Sequence, residues 1–218
     1  MLQSPLIRRP EGSCALLPPQ LFGSVGYYRV VAEFPAVCVD NALRYDKRFK
    51  SVHRFEIADA SGPLRLTVPV SRPEGAFERG NLCWQDVLVS AHGRWWEVIP
   101  TALESAYGRT PFFEFYIDRL MPLFAPRPLE RPETITDLCS RADRAVRAIL
   151  GFDAPIVAAD SLDNYAVEDF RRADFGALCP ARPYWQVRAD RFGFRPGLSV
   201  LDLIFNLGPE APLYFVGE

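Results

Sequence analysis

The chain has 218 residues, a formal net charge of −2, 49% hydrophobic and 24% charged residues. That balance fits a soluble globular chain with a sizeable core and excludes bulk nucleic-acid binding, which needs a strongly basic domain. No run approaches the ~18 apolar residues of a membrane-spanning helix.

The opening, "MLQSPLIRRPEG", lacks the apolar stretch of a signal peptide. The five cysteines, Cys14, Cys38, Cys83, Cys139 and Cys179, are odd in number, widely spaced and without a CxxC pair. Free thiols in a reducing, cytoplasmic setting are therefore expected. Two histidines without ligand spacing argue against a zinc site.

In chain order, "SCALL" reads as a short apolar strand stopped by Pro18-Pro19, which cannot donate to a ladder. "SVGYYRVVAEF" has helical spacing, with Ser24 as its cap. "AVCVDN" reads as a buried strand, so the three pieces predict a βαβ unit with parallel strands. "HRFEIADASGPLRLTVPVS" predicts a hairpin turning at Ala60-Ser61-Gly62. "SRPEGAFERGN" reads as a polar loop and "LCWQDVLVS" as a strand.

The middle section reads as helical. Trp96, Ile99, Leu103 and Tyr107 set one stripe, with Pro100 bending the helix or marking its start. Thr110-Pro111 predicts a cap and first position for a second helix bearing Phe113, Tyr116, Leu120 and Leu123. Thr134 and Asp137 open a third, closed by Gly151. "PIVAADS" then reads as a strand, "DNYAVEDFRRADF" as a short helix and "SVLDLIFNLG" as a terminal helix. The predicted class is α/β, a mixed sheet with a βαβ start and helices packed on it, in one domain over residues 1–218.

The charge is uneven. Arg44, Lys47, Arg48, Lys50, His53 and Arg54 follow the strand ending at Asp40, against Asp46 and Glu56. The carboxyl end of a parallel strand opens onto the crevice where α/β proteins bind ligands. Asp40, Tyr45, Lys47, Arg48 and Arg54 are thus candidate ligand contacts around one pocket for a phosphate or carboxylate. The competing reading is a solvated charged loop. His92, at a strand-to-helix junction, and Glu104 are candidate proton-transfer groups. Glu104 and Tyr107 share a helix face, which makes Tyr107 a further ligand candidate; pairing of Glu104 with Arg109 is the plainer alternative. "YWQVRADRFGF" interleaves arginines and aromatics, a pattern that can bind bases or sugars and that reads first as an ordinary strand or docking loop over the core. Asp202 reads as compensation of a helix dipole. The residues name no cofactor.

"LLPPQLFGSVGYYRVV", "VDNALRYDKRFKSVHRFEIADASGPLRLTVPVS", "ALESAYGRTPFFEFY" and "YWQVRADRFGFRPGLSVLDLIFNLGPEA" together resemble the WbqC-like protein family. The resemblance implies a transferase of bacterial surface-polysaccharide biosynthesis, including transfer of an amino acid such as glycine to a sugar. It would use a small anionic or nucleotide-linked ligand. The alternative from another class is a non-catalytic ligand-binding or assembly protein.

Overall fold

A computed structural model describes residues 9–73, 80–125, 132–179 and 182–215. Strand β1 (Ser13–Leu17) is buried along its whole length and stops at the two prolines. Helix α1 (Val25–Glu33) follows, its Tyr27 N–H donating to the Ser24 hydroxyl at 3.3 Å. Strand β2 (Ala36–Val39) lies parallel to β1, with Cys14 opposite Ala36 and Leu17 opposite Val39. The βαβ start is therefore present as expected.

Strands β3 (Arg54–Asp59) and β4 (Gly62–Thr67) form the expected hairpin. Gly62 sits at φ +119, a conformation that favours glycine, and closes the turn. Strands β5 (Val70–Ser71) and β6 (Leu88–Val89) make a short antiparallel pair. The strand expected over "LCWQDVLVS" is thus reduced to two residues. Trp84–Asp86 wind into a 3-10 turn instead, where the Asp86 carboxylate accepts from the Cys83 N–H at 3.0 Å. The turn drives Trp84 into the core, 1% exposed.

Helix α2 (Trp95–Tyr107) contains Pro100 rather than starting at it. It buries Trp95, Ile99, Leu103, Ala106 and Tyr107. Helix α3 (Phe113–Leu120) begins later than the Thr110-Pro111 signal. Thr110 is buried and spends its hydroxyl on the Tyr107 carbonyl, at 2.6 Å, closing the preceding helix instead. Helix α4 (Ile135–Leu150) has the predicted ends: Thr134 accepts from the Asp137 N–H at 3.1 Å, and Gly151 is left-handed at φ 66.

Beyond α4, "PIVAADS" contributes one parallel bridge, Ile156 to Val37, and then a 3-10 stretch over Ala159–Asn164. Strand β7 (Ala166–Asp169) replaces the helix expected there and pairs parallel with β1. The parallel sheet has the order β2-β1-β7, with Ile156 on the outer edge of β2. A short helix α5 (Ala189–Phe192) precedes α6 (Val200–Leu207), whose Ser199 cap accepts from the Leu201 N–H. α6 is buried among α1, α2, α3 and α4. Its Asp202 is 0% exposed, so the dipole explanation gives way to a buried role.

Candidate functional site

Because β1, β2 and β7 are parallel, their carboxyl ends share one side of the sheet. The chain leaves there through Pro18–Gln20, Asp40–Asn41 and Arg171–Arg172. Asp40 accepts from Arg171 Nη1 at 2.8 Å. Asp169 accepts from the same guanidinium, at 2.7 Å from Nη2 and 3.0 Å from Nε. The hydrogen bonds from Arg171 hold the Asp169 carboxyl below the usual range. The cation that Asp40 orients is therefore Arg171, 131 residues further along the chain. It is not one of the neighbours in the basic stretch.

Three cavities adjoin this edge. The first, about 290 Å³, is lined by Arg54 and Arg171, with Glu56 and Asp174 opposing them. Ser24 and Ser199, the caps of α1 and α6, also line it, so two positive helix ends face the space. The first N–H groups of both helices are already taken, Val25 by the Leu198 carbonyl and Val200 by that of Gly23. They supply field there rather than donors. Arg54 Nε is buried without a hydrogen-bond partner among the described residues.

The second cavity, about 600 Å³, carries four cationic side chains, Arg44, Lys47, Arg48 and Arg172, against the single carboxylate of Asp46. Arg48 is spent on Asp46 at 2.7–3.2 Å, which holds the Asp46 carboxyl down at about 2. Arg44 donates to the Gly80 carbonyl at 3.4 Å. Lys47 and Arg172 have no ion-pair partner among the described residues. Tyr45 and Phe49 give the cavity an aromatic wall, with Tyr45 packed on Trp84 at 4.6 Å between ring centres. The third cavity, about 410 Å³, lies between the ends of β1 and β2 and helix α4.

The single pocket expected from the basic stretch is thus two adjoining cavities that share Phe49. Tyr45, Lys47 and Arg48 line one, and Arg54 lines the other. The chain causes the split: after Arg48 it folds into a 3-10 turn at Lys50–Val52, and Arg54 emerges beyond it at the start of β3. Asp40 meets this region through Arg171. His92 and Glu104 are exposed and line none of the three cavities. Tyr107 is 0% exposed and also lines none of them. Its hydroxyl donates to Asp202 at 2.8 Å and accepts from the Ala58 N–H at 3.0 Å. Among the described residues, no group of three His, Cys, Asp or Glu gathers as a metal site. No helix there is long and apolar enough to cross a membrane.

The model of the WbqC-like protein family matches residues 19–175. The chain belongs to the WbqC-like protein family. No curated protein and no solved structure matches it. The part matched to the WbqC-like family holds Gln20, Asp40, Lys47, Arg54, Arg171 and Arg172, and so carries most of the lining of the three cavities. Ser199 and Asp202 lie beyond it. Arg171, Arg172 and the buried Asp143 beside the third cavity are absent from the sequence-derived candidates. "FRRAD" offered a charge signal, but the segment reads as part of a short helix until β7 is seen to pair with β1.

Proposed function

We propose that this WbqC-like protein binds a phosphate-bearing, nucleotide-linked donor at the carboxyl edge of its parallel sheet. There it would act as a transferase in bacterial surface-polysaccharide biosynthesis. One observation carries the binding half of this reading. The second cavity sets four cations against one carboxylate beside two aromatic rings, and two of those cations, Lys47 and Arg172, hold no ion pair among the described residues. Phosphate oxygens take charge-assisted hydrogen bonds from such groups, and a base or sugar takes the aromatic wall. The transferase half rests on family membership, and its lead is the group that Arg54 and Arg171 present next door.

A second reading, non-catalytic ligand binding, is favoured by a specific observation. His92 and Glu104, the groups picked for proton transfer, stand outside all three cavities. General acid–base work needs a group within ~3 Å of the reacting atom. A thermal-shift panel of nucleotide sugars, nucleotides and amino acids separates the readings from the start. A ligand that binds only the folded chain stabilises it by ~2.7 kcal/mol at a hundred times its Kd. Transferase action predicts a shift with a nucleotide sugar, followed by loss of the sugar when an acceptor is added. A shift without turnover for any acceptor supports the binding protein, no shift with any phosphate-bearing compound contradicts the donor-binding reading, and no shift with any compound of the panel contradicts both.

A further inference from the structure

We infer that the third cavity is a separate binding site for a small molecule that presents a hydrogen-bond donor, a hydroxyl or an ammonium group, to Asn41 and Asp143. Asn41 lines this cavity, and its Oδ1 is buried with no hydrogen-bond partner among the described residues. Buried side-chain polar atoms are nearly always bonded, so an exception at a cavity wall marks a contact for something else. Turning the amide over would place its NH2 group in the same position, equally unpartnered; the rest of the lining decides the polarity. Asp143, 6% exposed, contributes a carboxylate that already accepts from Arg147 Nε at 2.7 Å and from the Tyr28 hydroxyl at 3.1 Å. A carboxylate accepts about four hydrogen bonds, so capacity remains. The Ser140 hydroxyl donates to the Thr136 carbonyl at 2.8 Å, which leaves its oxygen as an acceptor. Among the described residues, no Lys, Arg or His lines the cavity. Gln20 and Tyr27 add groups that can donate or accept, and Asp143 is the one charged group in the described lining, so the cavity disfavours phosphate and carboxylate and favours donors, the reverse of the second cavity.

Position agrees with chemistry. The ends of β1, of β2 and of the Ile156 segment all open here, and α4 forms the facing wall. The volume, about 410 Å³, holds a molecule of monosaccharide size. Gln20 lines both this cavity and the first, so an occupant sits beside the crevice already described. The inference stands without the phosphate-binding reading, since it uses none of the cations.

Crystals of the full chain, soaked separately with glucose, ethanolamine and malonate, test it. Glucose or ethanolamine is expected in the third cavity with a donor on the Asn41 amide; which of the two binds tells hydroxyl from ammonium. Malonate is expected to stay out. In Asn41→Leu the occupancy should vanish while the melting temperature holds or rises, because leucine replaces an amide that the fold does not use. Malonate in the cavity, ordered water alone on Asn41 with all three probes, or a melting temperature lowered by several degrees in Asn41→Leu would each overturn the assignment. None of these results depends on whether phosphate binds at Lys47 and Arg172, so the two readings fail separately.

Discussion

Tyr107 and Tyr184 both donate to Asp202, at 2.8 and 2.5 Å, and Gln186 Nε2 adds a third hydrogen bond at 2.9 Å. Burial pushes the Asp202 carboxyl up, and these donors pull it back. Tyr107→Phe removes one donor to Asp202 and the acceptor of the Ala58 N–H, leaving buried groups unpaired. The expected cost is about 1–3 kcal/mol, read from urea midpoints, with ligand binding unchanged. Weakened binding at unchanged stability would instead make Tyr107 the ligand contact that its helix position advertised. The inward face of Tyr107 was legible from the stripe with Ile99 and Leu103. Its partner was not, because Asp202 lies 95 residues away and no local pattern encodes that pairing. His53 offers a second test at this scale. Burial lowers its pKa below the ordinary 6.5, while Nδ1 lies 3.2 Å from the Val68 carbonyl. The folded state thus holds fewer protons than the unfolded one. Its contribution is complete above 6.5 and lost as pH falls through and below that value. Unfolding titrations across about pH 5 to 8 should show this loss in the native protein and a flatter profile in His53→Asn.

At the scale of elements, α1 depends on a close approach. A Cβ on Gly26 would lie 1.9 Å from the Phe175 carbonyl oxygen and 3.0 Å from the Cys179 nitrogen, both backbone atoms. Gly26→Ala should therefore destabilise by about 1–3 kcal/mol or more by overpacking; an unchanged denaturation midpoint would show that the two segments are not held together. The cysteines belong to the same packing. Cys14, Cys38 and Cys139 are buried, all five are free, and burial pushes the Cys14 thiol up to about 11. A thiol reagent should find five groups in the denatured, unreduced protein and fewer in the native one. Recovery of three or one on denaturation would show a disulfide. Elements that carry their own signal were legible: β1 ended by prolines, α1 and α4 by their caps, the β3–β4 hairpin by alternation. The misses share a cause. β7 is an exposed edge strand, made by pairing with β1 rather than by a burial pattern. The Trp84 turn is set by an Asp86 side chain that competes with strand geometry.

For the whole molecule, the parallel sheet decides where the charges meet. The basic stretch after β2 was visible in the sequence and does line a cavity. Arg172, Arg171 and Asp143 complete the region from segments that only the pairing of β7 and the packing of α4 bring there. We propose that Lys47 and Arg172, which hold no ion pair among the described residues, take the phosphate of a ligand. Calorimetric titration with inorganic pyrophosphate at low salt tests it directly, comparing the native protein with Lys47→Ala/Arg172→Ala. Charge-assisted hydrogen bonds of ~1.5–3 kcal/mol each imply at least a tenfold loss of affinity per cation removed. Saturable binding that falls by about a hundredfold or more in the double variant, at an unchanged melting temperature, is the predicted result. No saturable binding, or equal binding by both proteins, would contradict it.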